Sequence, residues 1–388
     1  MIPSGNPVEH CTRLAIAAFA MILLSCAESH AAPVEAPAVM LQKTPPDSPE
    51  RMTLARVQVL LDRAGFRPGK IDGLSGEFTQ KAADRYCLSL GLPAGNQFDI
   101  SGINSPFRLY SISEVDAQWI GRTSSDPEQQ SQFKSLHYGS LWEAVAERFH
   151  CDLKYLRELN PGVEDIGIGS ILRVPDVMEF SPQDVVNLKR LLTNSAKPLH
   201  PEPTPTPIPN SSLYSLENRP LPFDLSQSIG SPPPTVAPTQ APTATPSPAA
   251  VHEPVRRLVL DRTERLIELY EDNKLAGCFP CTPGSTKFPV PEGTWRITSN
   301  VLMPHFRWDK SVLESGVRSD NAHLLPPGPN SPVGIVWMGI NRPSLGMHGT
   351  NSPDRIGRNQ SSGCIRLANW DAFLLCQRIN LGIQLEVR

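Results

Sequence analysis

Neither sign of charge dominates this chain: 36 lysines and arginines face 39 aspartates and glutamates in 388 residues. Such a balance leaves no strongly basic face, which argues against nucleic acid as a partner. A His/Cys/Asp/Glu cluster with metal-ligand spacing is missing, and so is a glycine-rich loop able to cradle phosphate. Neither a metal nor a cofactor is therefore expected. The apolar stretch from Leu14 to Leu24 falls short of the roughly 20 residues that a membrane-spanning helix needs.

That stretch follows Arg13 and precedes small residues, the pattern of an export leader over residues 1–26. Leu23-Leu24-Ser25-Cys26 resembles a lipobox, in which Cys26 becomes the acylated first residue and anchors the chain to a membrane. Ser29-His30-Ala31 offers an ordinary cleavage site instead. Either route predicts a periplasmic or wall-associated protein in an oxidising compartment. Cys87, Cys151, Cys278, Cys281, Cys364 and Cys376 then remain for the folded part. Cys278-Phe279-Pro280-Cys281 is expected at a turn, where it can close a local disulfide; one such pair is weak evidence for zinc. Cys376, in an apolar helical stretch, reads as a buried small residue.

The length predicts two to four domains. Residues 198–254 hold sixteen of the 41 prolines, so they read as a solvated tether without a core. Its reach is roughly 45 Å as a coil or about 170 Å as polyproline helix, enough for one end to hold a polymer while the other works elsewhere. Ahead of it, Leu54, Val57, Leu60, Leu61 and Ala64 recur at helical spacing, Ile71-Asp72-Gly73 marks a turn, and Phe78, Ala82, Tyr86 and Leu90 form a second stripe. Residues 51–92 thus predict a small helical module. In a second module, over residues 136–177, Ser140 and Glu143 form a capping-box pattern before one helix and Asp152 caps another. Ile171 to Pro175 reads as a closing strand. From residue 255 to 388 the pattern turns to short strands, with Asn369 placed to cap a late helix.

The chemistry concentrates near the end. Ser361-Ser362-Gly363-Cys364-Ile365-Arg366 follows His348-Gly349-Thr350, with His348 sixteen residues before Cys364. A thiol needs a base, and thiolate paired with imidazolium is a standard means of activation. The main-chain N–H groups of Gly363 and Cys364 can stabilise an oxyanion, and Arg366 can clamp a carboxylate. Gly349 has no side chain, so a backbone carbonyl must orient the His348 ring. Trp295, Trp308 and Trp337 read as core.

These residues resemble the signature of the L,D-transpeptidase (YkuD-type) catalytic domain of bacterial cell-wall enzymes, whose usual second histidine is replaced here by Ser362. The resemblance implies a mainly-β sandwich with one or two helices over residues 255–388. It also implies acyl transfer through Cys364, from a peptidoglycan tetrapeptide stem with loss of D-alanine to the amine of another stem or of an acceptor protein. Water as acceptor would make the chain an L,D-carboxypeptidase, and a decayed site a non-catalytic scaffold. Residues 51–92 are similar to helical peptidoglycan-binding modules, and residues 136–177 to LysM domains, which are βααβ folds that bind glycan strands; the resemblance implies an opening strand at His137-Tyr138-Gly139. The whole reads as a multidomain α+β protein.

Overall fold

The computed structural model describes residues 44–195, 253–284, 288–315, 317–358 and 363–388. The leader, Cys26, residues 198–252 of the tether and Ser362 lie outside the described residues, and no described helix is long and apolar enough to cross a membrane.

Helix α1 (Pro49–Arg63) starts with proline at its first position and a Ser48 side chain that accepts from the Arg51 N–H at 3.4 Å. Its buried face carries Ala55 and Val59, but also Arg51, Gln58 and Asp62, whereas the expected Leu54, Val57 and Leu60 are only half-buried. The polar residues sit inside because they have work there: the Gln58 amide bonds Asp72 Oδ1 at 2.8 Å and accepts from the Gly73 N–H at 2.9 Å, locking the turn into α2 (Glu77–Ser89). Leu90 caps α2 and stays exposed.

The second module pairs β1 (Phe107–Ser111) antiparallel with a closing strand, and between them lie α3 (Glu114–Ala117), α4 (Pro127–Ser131), α5 (Leu141–Arg148) and α6 (Leu153–Glu158). The closing strand is β2 (Ile171–Pro175). Ser140 and Asp152 cap α5 and α6, accepting from the Glu143 and Tyr155 N–H groups. The strand expected at His137-Tyr138-Gly139 is corrected: Tyr138 makes one isolated bridge to Ile120, and the partner of β2 begins thirty residues earlier. Phe107 and Leu172 supply its inward face, which a search near His137 could not reveal. Helix α7 (Pro182–Ser195) follows.

The C-terminal domain is built on β3 (Arg256–Asp261), β4 (Leu266–Glu271), β5 (Lys274–Pro280), β6 (Thr282–Pro283), β7 (Gly293–Leu302), β8 (Phe306–Asp309), α8 (Lys310–Ser315), β9 (Ala322–Leu325), β10 (Val336–Ile340), β11 (Gly346–His348), β12 (Ile365–Arg366), α9 (Asn369–Arg378) and β13 (Gln384–Val387). A nine-stranded sheet runs in the order β5-β4-β3-β13-β7-β10-β11-β12-β6, and β8 and β9 form a separate hairpin. Strand β7 serves two halves, pairing through Gly293–Arg296 with β13 and through Ile297–Leu302 with β10. Leu258, Leu260, Ile267 and Leu269 of one half share a single buried cluster with Met338, Met347 and Ile365 of the other. Each such side chain contributes about 1.5–3 kcal/mol on burial. The sheet therefore folds over its own core, and α9 adds Trp370, Ala372 and Leu375 to it.

Cys278 and Cys281 are free, buried thiols in different clusters, the first against Leu61, Phe66 and Ala82 and the second in the main core. The expected local disulfide is thereby corrected. Cys278 lies within β5 and its neighbour just beyond it, and three steps along an extended chain turn two side chains to opposite faces. Cys376 is buried in α9.

Residues 198–252 of the tether lie outside the described residues, and the modules on either side of it are packed together. Edge strand β5 is covered by the helical module: the Arg67 N–H donates to the Cys278 carbonyl at 2.8 Å, and the Cys278 N–H to Gly65 at 3.2 Å. Asp62, fully buried, binds the Arg67 guanidinium and, at 2.9 Å, His150 Nδ1. Arg67 lies 3.2 Å from Asp371 at the start of α9, and the His150 ring stacks on Trp370 at 5.2 Å. Burial alone would raise the Asp62 carboxyl, but Arg67 and His150 together hold it below its usual range. Phe180 and Val185 complete the junction by joining the C-terminal core. Charges buried in this way are tolerated only when paired, so parting the modules would strand them. The full chain is accordingly expected to unfold in one calorimetric transition whose van't Hoff and calorimetric enthalpies agree; two resolved transitions would contradict the packing.

Candidate active site

Strands β11 and β12 run parallel, with Met347 opposite Ile365 and His348 opposite Arg366. Met347 and Ile365 are fully buried in the core. Side chains alternate along a strand, so His348, Arg366 and Cys364, one step before Ile365, share the other face. Two short strands thereby bring together residues sixteen apart in sequence.

The His348 Nδ1 lies 2.6 Å from the Gly349 carbonyl oxygen, which fixes it as the donating nitrogen and leaves Nε2 with the free lone pair. Trp337, expected in the core, instead lies half-buried and stacked on the imidazole at 5.3 Å and 10°. Ring position is thus set by a carbonyl and a flat indole. Burial, with the nearby Arg366 charge, pulls the His348 pKa down to about 4, although the Gly349 bond resists. The Cys364 thiol is half-buried and donates to the Ser344 carbonyl at 3.6 Å; burial raises its pKa. Both shifts favour the neutral thiol and the neutral imidazole over a thiolate–imidazolium pair. Low dielectric disfavours two separated charges until a substrate supplies compensation. Cys364 is in no disulfide.

Arg366 influences both partners yet forms no ion pair among the described residues, and its Nε is buried without a hydrogen-bond partner. Burial depresses its own pKa. A buried guanidinium nitrogen without an acceptor has donor capacity to spare, and carboxylates are its strongest partners. Gly363 precedes Cys364 with φ +111°, a conformation only glycine adopts easily. Arg355 and Arg358 are exposed on the intervening loop. Among the described residues no His/Cys/Asp/Glu group could hold a metal ion.

Sequence reading missed the role of Asn369. It is the first residue of α9 and does not cap it; fully buried, it accepts through Oδ1 from the N–H groups of Ile335 at 3.3 Å and Thr350 at 3.2 Å. A methyl group on Gly349 would overlap that oxygen. The glycine after His348 is therefore required by the close approach of Asn369. The local sequence, asparagine at a helix start, signals a cap equally well, so only the opposing glycine hinted otherwise.

The helical module reaches the same loop. Lys70 pairs with Asp354, and the half-buried Phe78 ring lies against Gly357, where an added methyl would collide with it. Phe78 thus serves the loop between His348 and Cys364 rather than its own helix pair.

Residues 255–387 match the profile of the YkuD family, described as the L,D-transpeptidase catalytic domain. The candidate L,D-transpeptidase YqjB of Bacillus subtilis (strain 168) is 30% identical over 135 residues, 34% of this chain and 69% of that protein. The candidate L,D-transpeptidase YkuD of Bacillus licheniformis is 25% identical over 131 residues, 34% of this chain and 64% of that one. The chain therefore spans about two thirds of these relatives. An L,D-transpeptidase structure from Mycobacterium smegmatis is 19% identical, with 35% of this chain and 59% of that chain covered and a TM-score of 0.29, too low to carry an argument.

Proposed function

Because this chain belongs to the YkuD family of L,D-transpeptidases, we propose that it is an exported peptidoglycan acyltransferase whose nucleophile is Cys364 and whose base is His348. The observation that carries this reading is the common face of β11 and β12, on which an oriented imidazole, a thiol and a half-buried arginine whose Nε has no hydrogen-bond partner lie together.

In the first half-reaction His348 Nε2 takes the Cys364 proton as sulfur attacks the carbonyl between the third stem residue and D-alanine. The Gly363 and Cys364 N–H groups face the oxyanion, and Arg366 holds the stem's carboxylate. The imidazolium then gives its proton to the departing D-alanine amine, which leaves a thioester on Cys364. In the second half an acceptor amine loses its proton to Nε2 and displaces the thiolate, which is reprotonated; the product is a 3→3 cross-link or an attached protein. Ser362, where relatives carry histidine, contributes a hydroxyl to substrate or fills that space. The helical and LysM-like regions hold glycan, and Cys26 is the site for a lipid anchor.

Full-length protein incubated with disaccharide-tetrapeptide tests the reading by mass spectrometry. Cross-linked dimers are expected; tripeptide monomers alone would identify water as the acceptor, and unchanged tetrapeptide would refute catalysis. The pH profile is a further check. A base with its pKa pulled down to about 4 is unprotonated above that pH and protonated below it. The acid limb of kcat/KM is therefore expected near pH 4, not 6.5; a limb at 6–7 would show an imidazole less buried than this one.

A further inference from the structure

One peptide plane joins Gly349 to Thr350, and both of its polar ends are engaged. Its carbonyl accepts the His348 Nδ1–H at 2.6 Å, and its N–H donates to Asn369 Oδ1 at 3.2 Å. The orientation of the catalytic ring thus depends on which end of the Asn369 amide faces Thr350. That choice is made on the opposite side of the amide, where Nδ2 donates to Glu147 Oε1 at 2.8 Å and to the Pro329 carbonyl at 3.1 Å. Glu147 does not belong to the C-terminal domain: it sits on α5 of the second module, 222 residues away in sequence. The same Oε1 receives the Tyr138 hydroxyl at 3.0 Å.

We propose that Glu147 is a positioning residue for the catalytic base, holding His348 in register through Asn369 and the Gly349–Thr350 peptide, so that the second module completes the active site as well as binding beside it. This inference rests on the assignment of His348 and Cys364. Several features of the site fit it. The carboxyl is buried and accepts two hydrogen bonds at one oxygen, an arrangement costly to bury unless satisfied. The segment after β9 is clasped by the same module: Asn330 Nδ2 donates to Glu143 and to the His137 carbonyl. Burial pushes the Glu147 carboxyl up to about 8, with the Glu143 charge adding to the rise. The rise favours the neutral carboxylic acid, a form that glutamine imitates.

The test reads the base directly, without a wall substrate. Full-length protein is treated with iodoacetamide across pH, and alkylation of the Cys364 peptide is followed by mass spectrometry in wild type, Glu147→Gln, Glu147→Met and His348→Ala. His348→Ala sets the floor. Glu147→Gln keeps an acceptor oxygen and is expected within about twofold of wild type. Glu147→Met fills the space without an acceptor, and its rate at pH 7 is expected to fall about tenfold with an altered acid limb, since misplacing a catalytic group by about 1 Å costs up to about 10²-fold. Should the methionine variant not fold, Glu147→Asp retains a carboxyl but draws it back by one methylene and gives the same direction of change. Wild-type rates in Glu147→Met or Glu147→Asp, or equal losses in the glutamine and methionine variants, would overturn the proposal. If His348→Ala alone retains the wild-type rate, it is the underlying assignment of the base that falls.

Discussion

Replacing Cys364 with alanine is expected to lower stem-peptide turnover by about a thousandfold or more and to abolish the acyl-enzyme, with the melting temperature hardly changed. Two features of the site support both halves of that outcome. The sulfur precedes Ile365 on the face shared by His348 and Arg366, and removing a covalent nucleophile leaves only the weaker help of binding and oxyanion stabilisation. Its structural contribution is expected to be small, because the side chain is only half-buried and an S–H donor is weak. Losing such a contact should cost about 1 kcal/mol or less. Turnover and thermal unfolding measured on one preparation would separate the two effects. Residual turnover within tenfold of wild type would remove Cys364 from the mechanism.

The second large effect is expected from a single methyl group. Gly349→Ala would set a Cβ into Asn369 Oδ1 and close to the Gly334 backbone. Neither can yield easily, because Asn369 is held by four hydrogen bonds among buried residues. The Gly349 carbonyl would have to move, and His348 with it. A fall in kcat of about 10²-fold follows from displacing the base by about 1 Å, with a stability loss of about 1–3 kcal/mol for overpacking. Stopped-flow acylation and chemical denaturation check the two figures. A Gly349→Ala protein with an unchanged acylation rate would mean that this peptide does not govern the ring.

These effects also show what could be read without coordinates. His348, Gly349, Gly363, Cys364 and Arg366 are local in sequence and stand in a short motif, so their grouping was legible. The strands around Leu258, Ile267 and Trp295 were legible as well, because alternation and polar turns mark them. Asn369 reads as a cap in sequence, since its partners Ile335, Thr350 and Glu147 lie far from it along the chain. The buried stripe of α1 differs from its apolar periodicity for a related reason: Arg51, Gln58 and Asp62 are buried against polar partners from other segments, which hydrophobic periodicity cannot register. β11 and β12, of three and two residues, are too short to show a period at all. The proline-rich segment suggested separated bodies, but a tether's composition is silent on whether what it joins is packed together.

Direct capture of the covalent intermediate bears most closely on the central claim. The full-length protein, mixed with disaccharide-tetrapeptide and quenched in acid, is digested and its peptides weighed. The account predicts a disaccharide-tripeptide thioester on the peptide containing Cys364, with D-alanine released in equal amount and the adduct missing from His348→Ala. Turnover without that adduct, or an adduct on another residue, would contradict it.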